Sequence, residues 1–338
     1  MSRRRLLIAI DFDGTLLGPD GRVSDVTKKA IHRVIDAGHE IVFATGRTWH
    51  ESHEVLDQVD HRGHCVFAGG AHVVDARDEV VLHRQAMEPA LAREVCALFE
   101  RHGLPPLVLE DRFASGYDFA YNDAELPEAI QMWNRRHNLL TRSVGDLQRH
   151  PHEHTMRIGT LGPHDRVDAA EADLRESLAE RVLFNKVDLG NVGVELLEVF
   201  DPSVNKWAGV KRLAELHGIA REDVVGIGDD MNDLHLLEGA GVGVAMGNAK
   251  PAVKAIADLI IGPGSEEGLG RFLDAIADAG ASYSKTVDQM PSDAILKELD
   301  EKVDLQAMED FLMEEGIEKF AKPQNALLKI VKEQRAKL

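Results

Sequence analysis

The chain has 338 residues, with 39 Lys plus Arg against 58 Asp plus Glu and a formal net charge of −19. At about 150 residues per domain this is enough chain for two domains, and 44% hydrophobic with 29% charged residues is an ordinary soluble composition. The acidic balance argues against a nucleic-acid partner, which needs clustered Lys and Arg, and no apolar run approaches the roughly 20 residues that span a bilayer. Two cysteines without paired spacing, Cys65 and Cys96, fit a reducing cytoplasm.

Arg3-Arg4-Arg5 followed by the apolar residues 6–10 imitates an export signal, but the run stops at Asp11 and is too short for one. It reads instead as a strand buried on both faces. Ser24 can cap a helix whose apolar face is Val26, Ala30, Ile31, Val34 and Ile35, and Gly38 can end it. A buried strand over 41–44, a helix over 49–59 and a strand over 65–68 follow. The middle reads less regularly, with helices near 89–102, 125–137 and 166–178 and strand-like pieces at 106–109 and 156–161. Alternation then resumes: helix 207–216, strand 224–227, a helix from Asn232, strand 241–245, a helix from Pro251, strand 259–261 and a helix from Leu269. Strands alternating with helices predict an α/β fold with a doubly wound parallel sheet. The expected division is a core from 1–84 and 196–280, an inserted α+β module at 85–195, and a helical tail at 281–338. Basic-residue usage marks the tail: 7 Lys and 23 Arg lie before residue 281, and 8 Lys and 1 Arg after it.

Asp11-Phe12-Asp13-Gly14-Thr15-Leu16 directly follows the first strand. In a parallel sheet, ligands sit beyond the carboxyl ends of the strands, so these two carboxylates can point into one site. Gly14 permits a sharp exit from the strand. Alone, Asp-x-Asp is as readily a turn. Three further clusters join it: Thr45-Gly46-Arg47 ends the second strand, Asn205-Lys206 opens the helix before the fourth, and Gly228-Asp229-Asp230-Met231-Asn232-Asp233 ends the fourth.

In this order the four clusters resemble motifs one to four of the haloacid dehalogenase-like (HAD) hydrolase superfamily. Over about residues 4–278 the chain resembles the Cof-type group, which carries a type IIB cap inserted between motifs two and three. The resemblance implies a Rossmann-like core, a Mg²⁺ cofactor and hydrolysis of small phosphorylated metabolites, with sugar phosphates the expected substrates. It makes Asp11 the nucleophile and a metal ligand. The backbone carbonyl of Asp13 and the side chain of Asp229 are further ligands, with Asp233 beside them. It assigns the transferring phosphoryl group to Thr45, with Gly46 next to it, and charge neutralisation to Lys206. Asn232 positions these groups. Arg47 either contacts substrate or pairs with a neighbouring acid.

A positioned carboxyl at Asp13 can protonate a leaving alkoxide and then activate water. That favours cleavage of a C–O–P ester through an aspartyl-phosphate on Asp11. A phosphomutase using the same intermediate, and a non-catalytic sugar-phosphate-binding scaffold acting through the tail, are the alternative readings. Gly69-Gly70-Ala71 departs from the Asn-Gly-Ala often found after the third strand, which puts an Asn contact to substrate in question.

Other signals are weaker. His150-Pro151-His152-Glu153-His154 matches no zinc spacing and reads as a solvated loop. His50-Glu51-Ser52-His53 lacks the i, i+4 spacing of a two-histidine zinc helix. Arg112, Tyr117, Asn185, Lys186 and Asp188 in the insertion are polar candidates for substrate contact, each read as an ordinary surface residue. Segments 287–296 and 316–328 resemble the C-terminal end of transaldolases without its barrel. The tail therefore reads as a helical appendage that packs on the core, on a second copy or on a protein partner.

Overall fold

A short strand without a polar residue needs cover on both faces, and β1 (Leu7–Ile10) has it: all four residues are buried. The computed structural model describes residues 5–123, 126, 128–188 and 194–279, so the readings for the tail at 281–338 lie outside the described residues. After β1 come α1 (Asp25–Asp36), β2 (Glu40–Ala44), α2 (Trp49–Gln58), β3 (His64–Phe67), β4 (His72–Asp75) and β5 (Val80–Arg84). The middle holds α3 (Pro89–Arg101), β6 (Leu107–Glu110), α4 (Arg112–Ser115), β7 (Phe119–Asn122), α5 (Glu128–Arg136), β8 (Thr141–Gly145), β9 (Thr155–Pro163), α6 (His164–Leu178), β10 (Leu183–Asp188) and β11 (Val194–Phe200). The chain then returns through α7 (Lys206–Leu216), β12 (Val224–Gly228), α8 (Leu234–Gly239), β13 (Val242–Ala245), α9 (Pro251–Ile256), β14 (Leu259–Ile260) and α10 (Gly268–Ala279).

Two sheets result. The core sheet runs β14-β13-β12-β1-β2-β3-β4-β5. It is parallel from β14 to β3, and β4 and β5 extend it as an antiparallel edge. The second sheet runs β10-β11-β9-β6-β7-β8 and is antiparallel apart from the β7–β8 pair. One of its clusters joins Leu91, Val95 and Phe99 of α3 and Val167 and Leu174 of α6 to Ile158, Leu197 and Val199 of the strands. Another joins Leu109, Phe119, Met156 and Phe200 to Ala68, Ala71 and Val204 of the core. No helix among the described residues is long and apolar enough to cross a membrane.

The structure corrects several local readings. Ser24 does cap α1, its side chain accepting from the Thr27 amide. The buried face, however, is Thr27, Ala30, Ile31 and Val34, while Val26 and Ile35 are 41% and 42% exposed. At its N-terminal end α1 packs on α10: a Cβ on Gly270 would stand 3.0 Å from Val26 Cγ1 and 3.2 Å from the Thr27 amide. The less regular middle forms a complete six-stranded sheet, and its last strand straddles residue 195. The pair β4–β5 was not expected from periodicity: β4 is buried over residues 72–74, whereas no residue of β5 is buried.

Candidate active site

Register alone brings the motif residues together. Ile10 pairs with Ile227 on one side and Phe43 on the other, so the residues that follow these three strands leave the sheet at one edge. Backbone bonds fix the exits: the Asp11 amide donates to the Ile227 carbonyl at 3.0 Å, and the Thr45 amide to the Val66 carbonyl at 2.9 Å. Asp11 and Thr45 are buried there. Lys206 is the first residue of α7, which Asn205 caps by accepting from the Ala208 amide.

Lys206 is only 1% exposed, and its ammonium donates to Asp11 Oδ1 and Asp233 Oδ1, both at 2.6 Å. Asn232 Oδ1 is a third acceptor at 3.3 Å. The other oxygen of Asp233 accepts the amides of Asp229 and Asp230 at 3.0 and 3.1 Å, which folds the loop after β12 around it. Asp229 Oδ1 accepts from the Thr15 hydroxyl at 3.0 Å. Gly14 lies between the two acidic loops in the left-handed region (φ 81°), and a Cβ on it would stand 2.2 Å from Asp229 Oδ2. Any side chain there collides with the fourth motif.

Electrostatics follow from this crowding. Burial and the neighbouring Asp233 push the Asp11 carboxyl well above the usual carboxylate range, against the pull of Lys206. Burial, then Asp233, raises Asp229 to about 6. Burial works against the Lys206 charge, but Asp11 and Asp233 outweigh it and hold the ammonium above its ordinary range. Asp11, Asp229 and Asp233 each place a carboxylate oxygen within 4.8 Å of the others. An all-oxygen set with more negative charge than one Lys balances suits a hard divalent cation.

Around this centre lie more exposed groups. Asp13 forms a two-point ion pair with Arg47, at 2.9 Å to Nε and 2.5 Å to Nη2. Of the two expectations for Arg47, the structure shows pairing with an acid. The Arg47 amide donates to Thr45 Oγ1 at 3.1 Å. The Gly46 carbonyl accepts from Arg157 of β9 at 3.1 Å, and Arg157 is paired with Glu198 of β11. Asp230 caps the turn after β12 and pairs with Lys250. A Cβ at Gly69 would lie 3.4 Å from the Phe200 ring, so the Asn often found there would meet that ring.

Sequence reasoning missed several of these contacts. Asn248, in the turn after β13, donates to the Gly14 carbonyl at 2.8 Å and accepts from the Gly264 amide. Its signal was available, since Gly247-Asn248 follows a predicted strand at the same sheet edge. Trp133 of α5 donates to Glu51 Oε1 at 2.6 Å, while the other oxygen of Glu51 closes the capping box of α2. His50 pairs with Asp118 at 2.8 Å. No local pattern announces these contacts between the sheets.

Of the polar candidates in the insertion, Arg112 pairs with Asp118 and lines a crevice with Trp49, His50 and Phe113. Tyr117 lies under the Arg142 guanidinium, and Lys186 is held by Asp168 and Glu171 of α6. Asn185 pairs in register with Glu198, and the side chain of Asp188 lies outside the described residues. The solvated-loop reading of 150–154 holds for the exposed Pro151 and Glu153 but fails for two of the histidines. His152 is fully buried and the His150 side chain is 8% exposed, because their rings bond inward to Leu147, Thr155 and Glu110.

The chain is similar to known proteins. The family model described as haloacid dehalogenase-like hydrolase matches residues 8–273. A 5-amino-6-(5-phospho-D-ribitylamino)uracil phosphatase of Bacillus subtilis is 30% identical over 277 residues, covering 81% of this chain and 98% of the relative. An HMP-PP phosphatase of Cronobacter sakazakii is 30% identical over 269 residues, covering 78% and 93%. Among solved structures, a haloacid dehalogenase-like hydrolase of Bacteroides thetaiotaomicron superposes with a TM-score of 0.67 at 22% identity, over 81% of this chain and all of the other. A sugar phosphatase of HAD subclass IIB also gives 0.67, at 20% identity over 80% and 98%.

Proposed function

Because the chain belongs to the haloacid dehalogenase-like hydrolases, we propose that it carries out their phosphoryl chemistry on Asp11, with sugar or polyol phosphates as substrates. The chain is a phosphoric monoester hydrolase acting on small phosphorylated metabolites. The observation that carries the assignment of roles is the buried Asp11 carboxylate at the end of the central strand, held 2.6 Å from the Lys206 ammonium.

Asp11 attacks the phosphorus, the P–O bond to the leaving group breaks, and Asp13 gives its proton to the departing alkoxide. The Asp13 carboxylate then takes a proton from water as that water attacks phosphorus. The bond to Asp11 breaks, and inorganic phosphate leaves. Thr45 donates to the phosphoryl oxygens, and Lys206 offsets their charge together with that of Asp11. Asn232 orients Lys206. Arg47 holds Asp13 until substrate enters and then faces the substrate. Asp11, Asp229 and the Asp13 carbonyl would hold Mg²⁺, with Asp233 supporting the loop. When bound, Mg²⁺ supplies positive charge that draws a dianionic ester to a carboxylate and aligns its oxygens.

The sugar preference is supported by the inserted domain, whose Arg157 and Trp133 bring polar groups to the Gly46 carbonyl and to Glu51 beside the strand ends. It is also supported by the phosphoribityl compound and the sugar in two relatives' names. The test is phosphate release over a panel of metabolite phosphates, with and without Mg²⁺. Asp11→Asn is expected to lower kcat by about 10⁴-fold or more. Undiminished release from that variant would sink the mechanism.

A further inference from the structure

A second polar cluster lies far along the chain from the catalytic motifs. Glu110 ends β6 and is 3% exposed. Its Oε1 meets His150 Nε2 at 3.0 Å and the Thr155 hydroxyl at 2.6 Å. Thr155 Oγ1 also stands 3.0 Å from His152 Nδ1, and His152 Nε2 lies 2.9 Å from the Leu147 carbonyl. His152 itself occupies the left-handed region, with φ 58°. This turns the loop between β8 and β9 so that both rings face the end of β6.

The partners of His152 fix which nitrogen it offers. A carbonyl only accepts, so His152 Nε2 must carry the hydrogen bonded to Leu147. Nδ1 is then the ring atom that faces the Thr155 hydroxyl. A Glu110 carboxylate oxygen and one nitrogen from each of two histidines thus converge on one point beside that hydroxyl, in a buried part of the domain. A cation at that point could be held by all three.

We infer that Glu110, His150 and His152 form a Zn²⁺ site in the inserted domain, with the Thr155 hydroxyl oxygen in reach as a fourth ligand. One ligand atom from each of the three residues lies within 4.8 Å of the other two. Ligand atoms of a tetrahedral zinc site stand about 3.4 Å apart, given metal bonds of about 2.0–2.2 Å. The observed contacts of 2.6–3.0 Å need to open by less than an ångström. Two imidazoles and a carboxylate suit zinc better than Mg²⁺, which prefers oxygen ligands. The Leu147 carbonyl is the outer partner that fixes the tautomer of a zinc-bound histidine. Bound zinc would tie the loop to the residue before Asp111, which caps α4 and pairs with Arg84 of the core edge.

The test uses the full chain, freed of metal and then kept in saturating Mg²⁺ so that the Asp11 site is filled. Equilibrium dialysis should show one Zn²⁺ per chain, and Co²⁺ in its place should give the intense visible absorption of a tetrahedral site. Glu110→Gln and His150→Gln should each weaken zinc binding at least about tenfold to a hundredfold, while Asp229→Asn should retain it. If Glu110→Gln does not fold, His150→Gln decides alone. A wild-type chain that binds no zinc in Mg²⁺ overturns the assignment, and so does zinc binding that His150→Gln leaves unchanged.

Discussion

The strands of the core sheet and those of the inserted sheet differ in what their faces meet. β1 and β12 are buried on both sides, so their side chains serve packing alone and chemistry is confined to the residues just past their ends. The inserted sheet packs α3 and α6 on one cluster and presents another to the core. Its Arg157 reaches the Gly46 carbonyl at the edge where the core strands end, and Trp133 of the accompanying helix α5 reaches Glu51. A backbone-fixed edge should set the chemical step and much of the stability. Side-chain bridges from a separate sheet should set how substrate is held.

The largest test of that contrast is Lys206→Met. It leaves Asp11 and Asp233 buried without their cation. It should cost about 3–5 kcal/mol in urea unfolding and lower kcat by about 10²–10³-fold. A variant of normal stability and rate would show that the edge does not depend on this charge.

A second test concerns the core beneath the edge. Burial, against Phe43 among others, lowers the His61 pKa from 6.5 to about 4. Between these values the unfolded chain binds more protons than the folded one. The stabilisation is therefore complete above pH 6.5 and is lost as the pH falls towards 4, by on the order of 3 kcal/mol. Melting temperature measured against pH should fall over this window, and His61→Gln should flatten the fall. An identical acid limb in both proteins would remove His61 as its cause.

The smallest effect is expected at the bridge. Trp133→Phe deletes the hydrogen bond to Glu51, worth about 0.5–1.5 kcal/mol, and should raise KM roughly two- to tenfold with little change in kcat. Loss in kcat alone would place the bridge with the chemistry and erase the contrast between the two sheets.

Legibility followed the same division. The strand ends carrying Asp11, Thr45 and Asp229 could be read because a strand buried on both faces is a run of apolar residues, and its end is where the run stops. Lys206 was readable from Asn205 and the helix it caps. Within segment 150–154 two histidines were misread because they are buried by β6, forty residues earlier in the chain. Asn248 was passed over because its role is a contact with Gly14, at the other end of the sequence.

The sequence by itself determined the parallel core, the order of the four motif clusters and the strand ends that carry them. Each of these rests on local periodicity or on neighbours along the chain. Only the tertiary structure decided that Arg47 holds Asp13, that Asp233 anchors both Lys206 and the Asp229 loop, and that Glu51 meets Trp133. The physical reason is that charge pairing and burial depend on distance in space. Segments far apart in sequence set that distance, and no short-range pattern records it.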